Sequence, residues 1–194
     1  MKILLSGVSG LGKTTLARYL VSEGIVKEHI EEDLAWIFNG DPRSPEGKKI
    51  LVNRSIEWIN ERTEKLLATE ASFVMDRGPV DVLHLWLNWS LVPPEAWQTT
   101  FRKMQGFCSH LDLLVLVPLE SRVSHDAIEA SNESGMKRVM TGYPDLSNQA
   151  KIYGLAYQIS PLAKILALPP TPTSTEQRAR LIRQRLKALL ADRP

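Results

Sequence analysis

The segment Gly7-Val8-Ser9-Gly10-Leu11-Gly12-Lys13-Thr14 constrains this chain more than any other stretch of its length. It satisfies the pattern G-x-x-x-x-G-K-[ST] in full, between the apolar run Lys2 to Ser6 and a helical pattern from about Lys13 to Glu23. The implied order is buried strand, glycine loop, helix. Glycines let the backbone curl until successive N–H groups face inward at the positive end of the helix, a concavity suited to phosphate oxygens. Lys13 adds a cation for β- and γ-phosphates, the Thr14 hydroxyl is placed to ligate magnesium, and Thr15 completes the nucleotide site. The competing reading is an ordinary glycine turn capping a helix, which the agreement of motif and context disfavours.

The rest of the chain repeats the alternation of strand and helix. Further strands are expected within Ile25 to Ile30, Ser72 to Asp76, Asp112 to Val117 and Lys164 to Leu168. Ser44-Pro45-Glu46 supplies an N-cap, a proline at the first helical position and an early acid. It should start a helix carrying Leu51, Trp58, Ile59 and Leu66. Two helical stretches, Pro79 to Ser90 and Pro94 to His110, are split at Pro93-Pro94, and Ser174 with Gln177 forms a capping box for a basic terminal helix. Strands separated by helices imply an α/β fold with a parallel, doubly wound sheet. The length of 194 residues suits one domain over 1–194.

Composition narrows the partners. The 24 basic and 22 acidic residues leave a net charge of +2, which gives no strong case for non-specific nucleic-acid binding. Cys108 is the single cysteine, so an internal disulfide and a cysteine-rich zinc site are excluded. The N-terminus runs straight into the glycine loop, with neither a signal peptide nor a membrane-length apolar run. A soluble, cytoplasmic protein without a membrane partner is the expectation. The chain lacks the N-K-x-D and D-x-x-G sequences of Ras-like GTPases and the L-S-G-G-Q signature of ABC-type ATPases.

A second motif, Asp76-Arg77-Gly78-Pro79-Val80-Asp81, follows the strand that ends near Met75. Open α/β sheets bind ligands at the carboxyl ends of strands, so Asp76 can hold magnesium and Arg77 can neutralise phosphate charge there. A strand-ending turn with a surface ion pair is the alternative. With the glycine loop, this motif resembles the nucleoside and nucleotide kinase group of P-loop proteins. Deoxynucleoside kinases carry Glu-Arg-Ser at this place and thymidylate kinases Asp-Arg-Tyr. The resemblance implies a P-loop NTPase fold: a five-stranded parallel sheet with helices on both faces and a lid after the fourth strand. Here the lid would span about 119–141 and offer Arg122, Lys137 and Arg138 to the transferring phosphate, with Gly135 as hinge. Arg138 ranks first among them, against the reading of a solvated loop. The resemblance also implies a carboxylate base soon after the second strand, where Glu31-Glu32-Asp33 stands. Glu32 is the first choice and Glu31 the second, and a solvated acidic run or helix start is the alternative.

Trp86 and Trp89 share a helical face and serve either core packing or base stacking, with packing favoured. Trp36 is the better candidate to touch a substrate ring. His29, His84, His110 and His125 lack metal-ligand spacing and read as structural. The function expected is transfer of the ATP γ-phosphoryl group, with Mg2+, to a nucleoside- or nucleotide-like acceptor. Its rivals are a polynucleotide or modified-base DNA kinase of bacteriophage kind, and a nucleotide-binding regulator or NTPase switch without an acceptor.

Overall fold

The computed structural model describes residues 1–8, 10–32, 37, 41, 44–88, 94–119, 142–171 and 173–191. In chain order the elements are β1 (Lys2–Ser6), α1 (Lys13–Ser22), β2 (Glu28–Ile30), α2 (Pro45–Ala68), β3 (Phe73–Met75) and α3 (Pro79–Asn88). They continue as α4 (Pro94–Ser109), β4 (Leu113–Leu116), α5 (Gly142–Ile159), β5 (Ile165–Ala167) and α6 (Thr175–Ala191). The strands form one five-stranded sheet in the order β2-β3-β1-β4-β5, and every pairing is parallel.

Burial explains why some strands were plain in the sequence and one was not. Ile3, Leu4, Leu5 and Ser6 of β1, all of β3 and all of β4 are buried, as central parallel strands covered on both faces require. β2 lies at the sheet edge, where exposed Glu28 and half-buried His29 and Ile30 are tolerated. The apolar run is diluted there for that reason. Asp112 falls just outside β4 and accepts Lys2 N at 2.7 Å at the amino end of β1.

The helix starts follow their side chains. Ser44 caps α2 by accepting Gly47 N at 3.0 Å, with Pro45 first in the helix, and Leu51, Trp58, Ile59 and Leu66 are buried. The Ser174 box is reciprocal: Gln177 N donates to Ser174 Oγ at 3.2 Å, and Ser174 N donates to Gln177 Oε1 at 2.9 Å. One helix, α5, was not anticipated. Its buried residues Ile152, Leu155, Ala156 and Ile159 have the spacing of a helical face, so the periodicity was present in the sequence.

Around the sheet α1 packs on α6, while α2, α3, α4 and α5 pack on one another. Trp86 is buried on α3, donates Nε1 to Ser55 Oγ at 3.0 Å, and stands 6.4 Å from the Trp97 ring, which stacks on Phe101 at 5.8 Å. This is packing, as favoured from sequence; Trp89 and Trp36 lie outside the described residues. Trp86→Ala should cost about 3–5 kcal/mol. Thermal melting should register that loss while nucleotide affinity in the folded fraction stays at the wild-type value; a selective loss of affinity would restore the base-stacking role. Cys108 is buried, which pushes its thiol up to about 12 and makes it an inert core residue. Among the described residues no helix is long and apolar enough to cross a membrane.

Candidate active site

β1 and β3 are neighbours, so the glycine loop after one and the Asp76-Arg77-Gly78 turn after the other leave adjacent carboxyl ends. The loop closes on itself through tight contacts. A Cβ at Gly7 would lie 2.5 Å from Val117 O, so only glycine lets the loop leave β1 against the end of β4. Gly12, at φ 73°, turns the chain into α1 in a conformation side chains rarely adopt. Gly10, Leu11, Gly12, Lys13, Thr14, Thr15 and Arg77 line one cavity of about 280 Å3. Arg77 thus shares a site with the loop, while Ser9 lies outside the described residues.

The side chains form a connected set. Lys13 is buried, and its ammonium donates to Gly7 O at 2.6 Å and Val8 O at 2.7 Å. A cation in that position needs such partners, and the loop carbonyls supply them. Thr14 Oγ1 donates to Asp76 Oδ2 at 2.5 Å, while Glu32 N donates to Asp76 Oδ1 at 3.2 Å. His29 Nε2 stands 3.5 Å from the same Asp76 Oδ2. Thr14 and Asp76 therefore present two hard oxygen donors side by side beside the phosphate loop. That donor set fits magnesium, which takes one or two protein oxygens plus phosphate oxygens rather than a full protein cage. Among the described residues no group of three or more His, Cys, Asp or Glu could hold a metal ion by itself.

The two acids after β2 part company. Glu31 is exposed and pairs with Arg18 at 3.3 Å, whereas Glu32 is buried beside Asp76. Trp58 Nε1 donates to Glu32 Oε2 at 3.3 Å, and Arg62 Nε lies 2.6 Å from Glu32 Oε1 as an ion pair outside hydrogen-bond alignment. Asp33, Arg122, Gly135, Lys137, Arg138 and the remainder of the lid segment after 119 lie outside the described residues.

No protein-family model matches the chain, and no curated protein matches its sequence. Solved structures do match along its length. Deoxyadenosine kinase from M. mycoides with bound dCTP superposes with a TM-score of 0.61 at 16% identity, covering 97% of this chain and 100% of that one. Thymidylate kinase from Candida albicans gives 0.53 at 14% identity, covering 96% and 91%. Shikimate kinase from Acinetobacter baumannii in complex with shikimate gives 0.51 at 13%, covering 96% and 93%. The fold is that of the P-loop kinases.

Within that P-loop kinase fold, Gly78 stands where the resembling kinases carry Ser or Tyr. A Cβ at Gly78 would lie 2.6 Å from two Leu4 methyl carbons, so any side chain there would force the buried Leu4 side chain to shift. Sequence reasoning missed four side chains that surround the site. Asp81 accepts both Gly7 N and Gly78 N; its position three residues into the turn-and-helix start was a readable capping signal. His29 and Arg62 adjoin Asp76 and Glu32, and nothing local in the sequence pairs them. Arg178 of α6 is buried and donates Nη1 to Leu11 O at 3.1 Å, a partner 167 residues away. His84, one turn beyond Asp81, is buried, which lowers its imidazole below the ordinary histidine range against the opposing pull of Asp81.

Proposed function

We propose that residues 1–194 form one P-loop kinase domain that moves the γ-phosphoryl group of ATP to a nucleoside- or nucleotide-like acceptor. The observation that carries this reading is the meeting of the glycine loop, Lys13, Thr14 and Arg77 around one cavity, with Asp76 held behind it by its bond from Thr14. Backbone N–H groups of the loop hold the donor phosphates, and the Lys13 ammonium moves from the loop carbonyls to β- and γ-oxygens. Thr14 and Asp76 are the oxygens that would hold magnesium, which when bound neutralises charge on those phosphates. The acceptor oxygen forms a bond to the γ-phosphorus, the bond to the β–γ bridging oxygen breaks, and ADP leaves. Glu32 accepts the acceptor hydroxyl proton, and Arg77 balances the charge on the phosphoryl group. Likeness to deoxyadenosine and thymidylate kinases supports a nucleoside- or nucleotide-like acceptor.

A radiolabelled phosphate-transfer screen over nucleosides, nucleoside monophosphates and DNA tests the reading. Label on a nucleoside or monophosphate is the expected result. Label on DNA would move the assignment to a polynucleotide or modified-base kinase, and ATP hydrolysis indifferent to every acceptor would make the protein a regulator or switch.

Asp76→Asn separates chemistry from scaffold. It keeps the shape and removes the charge, so magnesium-dependent transfer should fall about 10- to 100-fold with a small change in melting temperature. A large drop in melting temperature with transfer intact would make Asp76 a strand-ending structural residue.

A further inference from the structure

Asp81 takes no part in the transfer described above, yet it is buried between the two motifs that do. Oδ1 accepts Gly7 N at 3.3 Å, and Oδ2 accepts Gly78 N at 2.9 Å. Gly7 opens the phosphate loop and Gly78 closes the Asp76-Arg77-Gly78 turn. Each anchor is seated on its own side: Gly7 against Val117 O, where a Cβ has no room, and Gly78 against the Leu4 methyls, which a Cβ would displace. The carboxylate is stabilised by the two N–H donors and by its place in the first turn of α3, at the positive end of that helix.

A helix cap would need only the bond back to Gly78. The second bond crosses to a residue 74 positions earlier, in a different element, and gives α3 no added hydrogen bond of its own. It ties the loop to the turn. We infer that Asp81 is a positioning residue that sets the separation of the phosphate loop from Asp76 and Arg77, so that phosphates held by the loop lie within reach of both. The inference rests on the nucleotide-binding reading of the cavity. A single rigid carboxylate bridging two backbone amides fixes a distance better than two long side chains do, because few torsions separate its oxygens from the chain.

Asp81→Asn tests it. The amide is nearly isosteric, but its nitrogen cannot accept, so one of the two N–H groups loses its partner. The full-length variant should bind Mg-ATP about 10- to 100-fold more weakly than wild type, with faster amide hydrogen exchange at Gly7 or Gly78. Asp112→Asn is the control, removing a carboxylate charge that faces the Lys2 N–H at the opposite end of β1, away from the cavity. It should lower the melting temperature and leave ATP affinity alone. Unchanged ATP affinity in Asp81→Asn, or an equal weakening in Asp112→Asn, overturns the inference. Should Asp81→Asn fail to fold, Asp81→Ser keeps one acceptor in a smaller volume and is judged by the same two measurements. A wild-type chain that binds no ATP would sink the nucleotide reading instead. The exchange rates then decide alone, and rates at Gly7 and Gly78 unaltered by the substitution overturn the positioning role.

Discussion

Lys13→Ala is expected to yield a folded chain whose phosphate transfer is lowered by about 1,000-fold or more. On the proposed reading the ammonium is the cation that meets the donor phosphates, and it is already buried among loop carbonyls. Truncation leaves Gly7 O and Val8 O without that donor, at a cost of about 1–3 kcal/mol, which a domain with this core can absorb. Melting curves should therefore shift by a few degrees, while single-turnover transfer and Mg-ATP affinity collapse. Turnover near the wild-type rate would remove the central premise of the kinase reading.

Glu32→Gln should lower kcat by about 100- to 10,000-fold and leave the KM for ATP nearly unchanged, because a general base acts on the acceptor and not on the donor. Glutamine keeps an oxygen to accept Trp58 Nε1, so the loss falls on the charge that faces Arg62 and on the proposed proton acceptor. Glu31→Gln is the internal control. Glu31 is exposed and pairs with Arg18, away from Asp76, so its variant should transfer normally. If Glu31→Gln is the inactive member of the pair, the base lies one residue earlier and the chemistry stands. If both variants and Asp33→Asn remain active, the acceptor is a phosphate already ionised, and the protein belongs functionally with nucleoside monophosphate kinases.

The strands and the site were legible to different depths. β1, β3 and β4 could be read because a parallel strand covered on both faces must be apolar throughout, and the phosphate loop because its chemistry is local and contiguous. Ser44 and Ser174 announced their helices through bonds that span three residues. α5 is less legible although Ile152, Leu155, Ala156 and Ile159 mark its buried face, because exposed Leu146 and Tyr157 blur the contrast between its faces. The meeting of Glu32 with Trp58 and Arg62, and of His29 with Asp76, depends on how α2 meets the chain after β2 and on how β2 pairs with β3. No spacing in the sequence encodes that. Gly78 shows the same limit: the motif was visible, but the reason for glycine is the Leu4 side chain on a neighbouring strand.

The bond from Arg178 to Leu11 makes the glycine loop depend on a helix 167 residues further along the chain. The phosphate loop is complete as a sequence by Thr15, and its other side-chain bonds described above are made to the loop itself, to Asp76 just after β3 and to Asp81 of α3. The carbonyl of Leu11, however, waits for a guanidinium that emerges from the ribosome 167 residues later. Closing so long a segment is slow relative to local structure. The glycine loop is thus finished only when α6 docks, and a chain cut before α6 carries a loop whose Leu11 carbonyl lacks its guanidinium donor.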